Sequence, residues 1–568
     1  MYILPYINLG THYKKIFLLI QIILKGKNMK INKLMIKNFK GIKECEIDFT
    51  SNLNIFVGTS NSTKSTILES IKLLFNNSNV CNFNPQDFYN NDYNQNIEIT
   101  CIFSGFPNDF LSESNYAFFV LDEYKDCPHL MAQLICNSDF EYEWSIIKNI
   151  DRKPFSQNNR KKCNVSLIDD NMDKNFNYGK TSLIYKYLAN NDTFQKEIKK
   201  FIYKNQTLVE KTNFEDLYSK ILNLGQEYSI KLDNNLSSLL DVTNLPTSTN
   251  ILGLAENEIM ISSRGKSDKK LLTLAMSIDL TRNFGIALID EPENSLEPYK
   301  IRFIARKIND LCNKNKDMQF IITTHSPYFV LQSEVENINI IRNIKGTVSI
   351  QNIPTNLRKV VYDKGAEALF ARKIICCEGK TELGFINKIN EFRRSEHIEF
   401  ELYGVCIVVL DGDKLIQSSI DLYNIGYDVC LVMDSDVKKE NSDKAKFDGF
   451  LLDCLPNKDF EYDFFSSLTK EQLIEFLENL FVDNDKNQFL GELNKGFDTK
   501  GKTIAQLVNE KDFIDVICSK KSINNKFKNY IVGSKMGDYF LSHISEINQS
   551  SKIMDKYNKF NEWVEKNA

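Results

Sequence analysis

Leu53-Asn54-Ile55-Phe56-Val57-Gly58-Thr59-Ser60-Asn61-Ser62-Thr63-Lys64-Ser65-Thr66 runs a short apolar stretch into a glycine and then into a loop rich in serine and threonine. The apolar run reads as a buried strand. Beyond the loop, Ile67, Leu68, Ile71 and Leu74 recur at the spacing of one helix face. Strand, loop and helix in this order form the setting of a phosphate-binding loop. Backbone N–H groups and the helix N-terminus cradle phosphates, Lys64 reaches the β/γ oxygens and Ser65 holds Mg²⁺. Gly58, Asn61, Thr63 and Thr66 complete the expected ATP-contacting set. Thr63 stands where the pattern has a second glycine, and its side chain restricts the backbone conformation that the loop needs. Upstream, Leu34-Met35-Ile36 and Cys45-Glu46-Ile47-Asp48-Phe49 read as two further strands.

Two later segments support the nucleotide reading. Ile286-Ala287-Leu288-Ile289-Asp290-Glu291-Pro292-Glu293 is an apolar strand ending in adjacent acids, which suits Asp290 to support Mg²⁺ and Glu291 to polarise an attacking water. Phe320-Ile321-Ile322-Thr323-Thr324-His325-Ser326-Pro327 is another buried strand, ending in a histidine suited to sense a γ-phosphate. With these three motifs in order, the chain resembles the ABC-type ATPase heads of the recombination and chromosome-maintenance class. The resemblance implies that Ser262-Ser263-Arg264-Gly265-Lys266 is a signature segment meeting ATP on a second subunit, although a polar surface turn would read the same. It implies that Asn294-Ser295-Leu296-Glu297-Pro298 is a dimer-contact loop.

In the C-terminal third, two carboxylate clusters each end an apolar run. Ile374-Ile375-Cys376-Cys377 leads into Glu378-Gly379-Lys380-Thr381-Glu382, and Val429-Cys430-Leu431-Val432-Met433 leads into Asp434-Ser435-Asp436. Strands ending in acids place carboxylates at the C-terminal edge of a sheet, where ligands of open α/β sheets bind. Hard oxygen ligands grouped in this way suit Mg²⁺ or Mn²⁺ and phosphoryl chemistry. These motifs are similar to those of the Toprim fold, and an ABC-type head followed by Toprim resembles the OLD (overcoming lysogenisation defect) family of nucleases, which includes the nuclease subunit of the Gabija anti-phage system. The resemblance implies that Glu378, Asp434 and Asp436 bind one metal and that Glu382 and Glu461 help hold a second. Asp459 and Asp463 flank Glu461 in Asp459-Phe460-Glu461-Tyr462-Asp463 and stand as alternatives to it. Lys535, in Gly533-Ser534-Lys535, matches a family lysine that neutralises transition-state charge; a solvated surface lysine is the other reading. Asp411 and Asp413 follow the strand-like Val408-Val409-Leu410 and read as a solvated turn or as support for the metal ligands.

The 568 residues suffice for two or more cores, and 42% hydrophobic with 26% charged residues is an ordinary globular balance. A net charge of −4 gives no overall basic footprint, so contact with nucleic acid must come from local patches. The 13 cysteines form no C-x-x-C pair, and several lie in apolar runs, as in a reduced cytoplasmic protein. Ile16 to Leu24 is apolar but too short to span a bilayer. The expected organisation is an N-terminal extension over 1–28, a first ATPase part over 29–140, and a helical insertion over 141–245 that would dimerise. A second ATPase part follows over 246–360, then a Toprim nuclease domain with a helical C-terminal part over 366–568. The tail from about 470 reads as helical with one interruption around Ile531-Val532-Gly533.

The fold class expected is therefore α/β, an ABC-type head with a helical insertion followed by Toprim. The function implied is an ATP-regulated, divalent-metal-dependent DNA endonuclease in anti-phage defence, using ATP and Mg²⁺ or Mn²⁺. It would act on DNA in the cytoplasm, as a homo-oligomer (dimer or tetramer) with a helicase-like or other defence-system partner and no membrane. The alternative is an ATP-gated DNA clamp of the recombination and repair class that does not cut. A topoisomerase would want a nucleophilic tyrosine in a DNA-gate domain, for which little of the chain is left.

Overall fold

The computed structural model describes residues 29–60, 62–112, 114–163, 165–168, 173–176, 182–184, 215–233, 235–240, 252–281, 285–315, 318–358, 360–410, 415–433, 451–453, 459–549 and 551–566. The chain divides into two compact units, 1–351 and 352–568.

The first unit is built on one large mixed sheet. Its strands are β1 (Lys30–Phe39), β2 (Ile42–Asp48), β3 (Leu53–Val57), β4 (Ile97–Ser104), β5 (His129–Cys136), β6 (Tyr142–Lys148), β7 (Asp151–Pro154) and β8 (Val165–Ile168). A small separate sheet holds β9 (Leu236–Leu240), β10 (Leu252–Glu256) and β11 (Ile259–Met260); the large sheet resumes with β12 (Ile286–Asp290), β13 (Gln319–Thr323), β14 (Ile338–Ile344) and β15 (Thr347–Asn352). The order across it is β7-β6-β5-β4-β1-β2-β15-β14-β3-β13-β12-β8. The segment β14-β3-β13-β12-β8 is parallel throughout. All five residues of β3 are buried, as a strand covered on both faces requires.

Helix α1 (Lys64–Leu74) leaves the end of β3 and buries Ile67, Leu68, Ile71 and Leu74, the face read from the sequence. Helices α2 (Glu215–Glu227), α3 (Lys266–Thr281) and α4 (Pro298–Lys314) complete the elements used below. On α4, Ile301, Ile304, Ile308 and Cys312 form the inward stripe. Each large aliphatic side chain buried there contributes roughly 1.5–3 kcal/mol.

Residues 142–168, expected to open a helical insertion, instead add β6, β7 and β8 to the main sheet. Tyr142, Trp144, Ile146 and Ile147 give β6 the aromatic and β-branched character that a pleated surface favours, and β8 pairs in parallel with β12. Within the rest of the expected insertion, α2 is helical, while most of 169–214 and all of 241–251 lie outside the described residues, as do residues 1–28.

The second unit centres on a four-stranded sheet of β16 (Lys373–Cys377), β17 (Val405–Val409), β18 (Asp428–Met433) and β19 (Leu451–Asp453), in the order β17-β16-β18-β19. Every pairing is parallel. Helix α5 (Lys380–Ser395) follows β16, and α6 (Leu415–Asn424) precedes β18. Helices α7 (Phe460–Ser467), α8 (Lys470–Leu480), α9 (Tyr530–Ser542) and α10 (Lys552–Glu565) share one core with the sheet, with further helices between 483 and 527.

The interruption expected around Ile531-Val532-Gly533 is the first turn of α9, which runs unbroken from Tyr530 with Asn529 as its N-cap. Gly533 serves packing there. A Cβ on it would sit 1.9 Å from the Thr381 carbonyl oxygen, and one on Gly384 would sit 2.3 Å from that of Tyr530. Helices α5 and α9 therefore cross backbone against backbone.

Candidate functional site

The ends of β3, β13 and β12 lie side by side and assemble the nucleotide constellation. Asp290 on β12 is in register with Thr323 on β13, and Phe56 on β3 pairs with Thr323 from the other side. Gly58 leaves β3 with φ +153, and a Cβ there would lie 2.4 Å from the Ile341 carbonyl oxygen, so only glycine fits. Thr63 has φ +66, the left-handed conformation that a glycine would adopt without cost. Asn61 lies outside the described residues, and Thr66 is half-buried in the first turn of α1.

Lys64 is 5% exposed and folds back over the loop. Its Nζ donates to the carbonyl oxygens of Gly58 and Thr59, both at 3.0 Å, and to Ser62 Oγ at 3.1 Å. Burial lowers its pKa to about 8 against the opposing pull of Glu291, Glu293 and Asp290. Ser65 Oγ donates to Asp290 Oδ1 at 3.0 Å, and Thr323 Oγ1 donates to the same oxygen at 2.5 Å. A hydroxyl and a carboxylate held this close are the hard-oxygen pair that a nucleotide-bound Mg²⁺ takes, so these residues fit that ion.

Glu291 has φ +46, and its amide donates to both the carbonyl oxygen and Oγ1 of Thr323 at 3.2 Å. Its Oε2 accepts from Asn294 Nδ2 at 2.9 Å, and its Oε1 lies 3.7 Å from His325 Nε2. Burial, then the Lys64 cation, lowers the His325 pKa, so the ring is neutral near pH 7 and meets Glu291 as a polar contact. Glu293 fixes the His325 loop by accepting from the His325 amide at 2.5 Å and from Thr324 Oγ1 at 2.8 Å. Burial, despite these bonds, raises its pKa. The sequence reading left Thr323 and Glu293 without a role; aligning the ends of the two strands would have found Thr323.

The residue just after the expected signature segment, Ser267, reaches the expected dimer-contact loop within this unit. Ser267, at the start of α3, donates to Glu297 Oε2 at 3.2 Å, and Lys300 Nζ reaches Ser267 Oγ at 2.9 Å and Glu297 at 3.0 Å. Arg264 pairs with Glu256 at 2.7 Å.

In the second unit the end of β16 is the organising point. Cys377 pairs with Val432, and the Glu378 amide donates to the Val432 carbonyl oxygen at 3.0 Å. Glu378 and Met433, the residue before Asp434, thus share the C-terminal edge of adjacent parallel strands. Glu382, 4% exposed in the first turn of α5, turns back so that its Oε2 lies 2.8 Å from the position of an absent Gly379 Cβ. Burial, and next the Glu382 carboxylate, push the Cys377 thiol well up.

Glu461 is 1% exposed in the first turn of α7. That helix packs on α5 through Phe460 against Phe385, ring centroids 5.0 Å apart. Both flanking acids are engaged elsewhere. Asp459 caps α7 by accepting from the Tyr462 amide at 3.2 Å and also accepts from Asn524 at 2.7 Å, while Asp463 meets Lys556 Nζ at 2.5 Å. Lys535 Nζ donates to the Leu480 carbonyl oxygen at 2.6 Å, closing the end of α8.

Asp434 and Asp436 lie outside the described residues, as do Asp411 and Asp413. Among the described residues, no group of three or more His, Cys, Asp or Glu side chains forms a metal-ligand cluster, and no helix is long and apolar enough to cross a membrane. Glu378, half-buried at the end of β16, and Glu382 and Glu461, buried on α5 and α7, carry the oxygen donors that Mg²⁺ or Mn²⁺ takes, but the structure does not bring the three together as one ligand group.

Comparison with known proteins agrees with this division. An AAA ATPase domain family matches residues 29–212. A second AAA domain family, named for an AbiEii-type toxin of type IV toxin–antitoxin systems, matches 143–331. The TOPRIM domain of overcoming lysogenization defect protein-like sequences matches 369–436. An ATP/GTP phosphatase of Helicobacter pylori is 23% identical over 339 residues, covering 53% of this chain and 86% of that protein. Among solved structures, the Smc head domain of Pyrococcus furiosus bound to a ScpA C-terminal domain covers 57% of this chain and 96% of its own, at 14% identity and TM-score 0.34. The recombination mediator RecF with ATP covers 58% and 99%, at 13% identity and TM-score 0.36. The chain is an AAA ATPase domain followed by an OLD-like TOPRIM domain.

Proposed function

We propose that the chain is an ATP-regulated, divalent-metal-dependent DNA endonuclease of anti-phage defence. The observation that carries this reading is the edge shared by β16 and β18. The backbone bond from Glu378 to Val432 puts the Glu378-Gly379-Lys380-Thr381-Glu382 segment beside the strand that runs into Asp434-Ser435-Asp436. Glu378, Glu382, Asp434, Asp436 and Glu461 would hold one or two Mg²⁺ or Mn²⁺ ions, which when bound activate water and stabilise the leaving oxygen of a phosphodiester. In the head, Lys64, Ser65 and Asp290 would hold ATP with its Mg²⁺, Glu291 would orient the attacking water, and His325 would read the γ-phosphate through its contact with Glu291. The cytoplasm, a dimer or tetramer, and a helicase-like or other defence partner belong to the same proposal.

One observation favours the second reading, an ATP-gated DNA clamp without cleavage. Lys535, the expected charge-neutralising lysine, donates to the end of α8 in this structure. Plasmid incubated with the purified protein and Mg²⁺ or Mn²⁺, with and without ATP, decides between the two. Cutting that disappears in Glu378→Ala supports the nuclease. DNA binding without cutting under every condition supports the clamp.

A further inference from the structure

Strand β13 ends at Thr323, and His325 is the second residue beyond it. The first residue beyond, Thr324, still follows the sheet: its amide donates to the Phe56 carbonyl oxygen at 3.1 Å. The next amide, that of His325, takes a carboxylate as its acceptor, Glu293 Oε1 at 2.5 Å. The second oxygen of the same group, Glu293 Oε2, accepts from Thr324 Oγ1 at 2.8 Å. Thr324 Oγ1 in turn accepts from the Ser326 amide at 3.0 Å. One carboxylate therefore holds the main chain at His325 and, through a fully buried threonine, the residues on both sides of it.

Glu291 and Glu293 stand on either side of Pro292 and meet His325 from its two ends. Glu291 Oε1 lies 3.7 Å from the ring at Nε2, and Glu293 holds the backbone. Pro292 fixes its own φ, and the Glu291 amide is pinned to Thr323, so the two carboxylates keep a set spacing. A carboxylate is a costly acceptor to desolvate, and a neutral carbonyl would satisfy the same amide at less cost. What the carboxylate adds is a shorter, stronger bond and a second oxygen that fixes orientation. We infer that Glu293 is a positioning residue for ATP hydrolysis: by holding the turn on both sides of His325 it sets the reach of the ring to Glu291 and to the γ-phosphate. The inference rests on the reading of His325 as the residue that senses that phosphate, and it adds the group that places it.

The test is steady-state ATP hydrolysis by the full chain, with ATP affinity by calorimetry and thermal unfolding on the same samples. Glu293→Ala should lower kcat by about tenfold to 100-fold, the loss that a small misplacement near a reacting group brings. ATP affinity should stay near wild type, because Lys64, Ser65 and Asp290 are untouched. Glu293→Gln keeps an oxygen for the His325 amide and offers its NH₂ to Thr324 Oγ1, so it should retain most of the wild-type turnover. Glu293→Met, which fills the space without an acceptor, replaces the alanine variant if that one does not fold. The double variant Glu293→Ala/His325→Ala should be no slower than His325→Ala alone, since both losses pass through one ring. Wild-type kcat in Glu293→Ala, or a full further loss from Glu293→Ala in the His325→Ala background, would overturn the inference while the reading of His325 stands. Wild-type kcat in His325→Ala would remove that reading and the inference with it.

Discussion

Gly41 and Thr63 are matched to one another across the phosphate loop: a Cβ at position 41 would stand 2.8 Å from the Thr63 methyl carbon. Gly41 lies in the turn between β1 and β2, and Thr63 holds the left-handed conformation at the start of α1. A threonine in that conformation costs roughly 1–2 kcal/mol, and its branched side chain has little rotamer freedom with which to evade a clash. Gly41→Ala should therefore displace the loop and weaken ATP binding by about tenfold, or about 1.4 kcal/mol. Adding Thr63→Gly should restore it, because the methyl is gone and glycine adopts φ +66 freely. Calorimetry on the two single variants and the double variant checks this. Equal losses in Gly41→Ala with and without Thr63→Gly would show that the contact does not govern the loop.

This pair also marks how far the sequence could be read. The departure at Thr63 is visible in the motif, but its compensation lies 22 positions upstream in a hairpin turn, where only tertiary contact connects the two. The strands that end in acids were legible because a buried parallel strand is a continuous apolar run, as β12, β16 and β18 are. Strands β7 and β8 have only four residues each, and in β6 apolar residues are interspersed with Glu143, Ser145 and Lys148, so the polar, Asn- and Lys-rich sequence beyond them sets the average of the region. At Glu461 three acids alternate in sequence without distinction. Asn524 and Lys556, from separate helices, decide which of them are committed elsewhere. The contact of Lys535 with Leu480 depends on how α9 meets α8, which no local pattern reports.

Lys64 gives the nucleotide site a proton linkage. Burial holds it at about 8 against an ordinary 10.5, so between these values the unfolded chain binds more protons than the folded one. By linkage, its contribution to stability in the nucleotide-free protein rises with pH through that window. Phosphates favour the charged lysine, so ATP binding should raise its pKa and take up a fraction of a proton at about pH 8.5. Calorimetry in two buffers of different ionisation enthalpy should give different apparent binding enthalpies for wild type. Lys64→Arg, charged throughout, should give equal ones. Equal enthalpies for wild type would place the nucleotide away from Lys64.

Glu291 is oriented before any nucleotide arrives. Its backbone is pinned to Thr323 and its carboxylate lies between Asn294 and His325. Glu291→Gln preserves shape and removes the base. ATP hydrolysis should fall by about 100-fold or more, with ATP affinity close to that of wild type, as phosphate release and equilibrium binding would show. If the head governs DNA cutting, this variant should hold cutting at one extreme, fully active or fully repressed, at every saturating ATP concentration. Linkage then requires that DNA change ATP affinity by the same factor by which ATP changes DNA affinity. Cutting rates that are identical in wild type and Glu291→Gln, with and without ATP, would exclude the coupling.

The acids around α7 separate stability from chemistry. Asp459 accepts the Tyr462 amide as N-cap, so Asp459→Ala should lower unfolding stability by about 1 kcal/mol while DNA cleavage continues. The N-cap bond of α7 belongs to Asp459. Glu461→Gln keeps its volume and most of its hydrogen-bonding capacity, and it lowers the charge available to a divalent ion at a buried position beside α5. It should leave the unfolding midpoint in place or raise it, since less negative charge is confined at a position only 1% exposed. Cleavage at low Mn²⁺ should be lost, with partial recovery as Mn²⁺ is increased. The two variants should thus fail in opposite assays, chemical denaturation for one and metal-dependent plasmid cutting for the other. If Asp459→Ala abolished cutting at full stability while Glu461→Gln cut normally, the ligand role would pass from Glu461 to Asp459, and the α7 turn would have to rotate to present it.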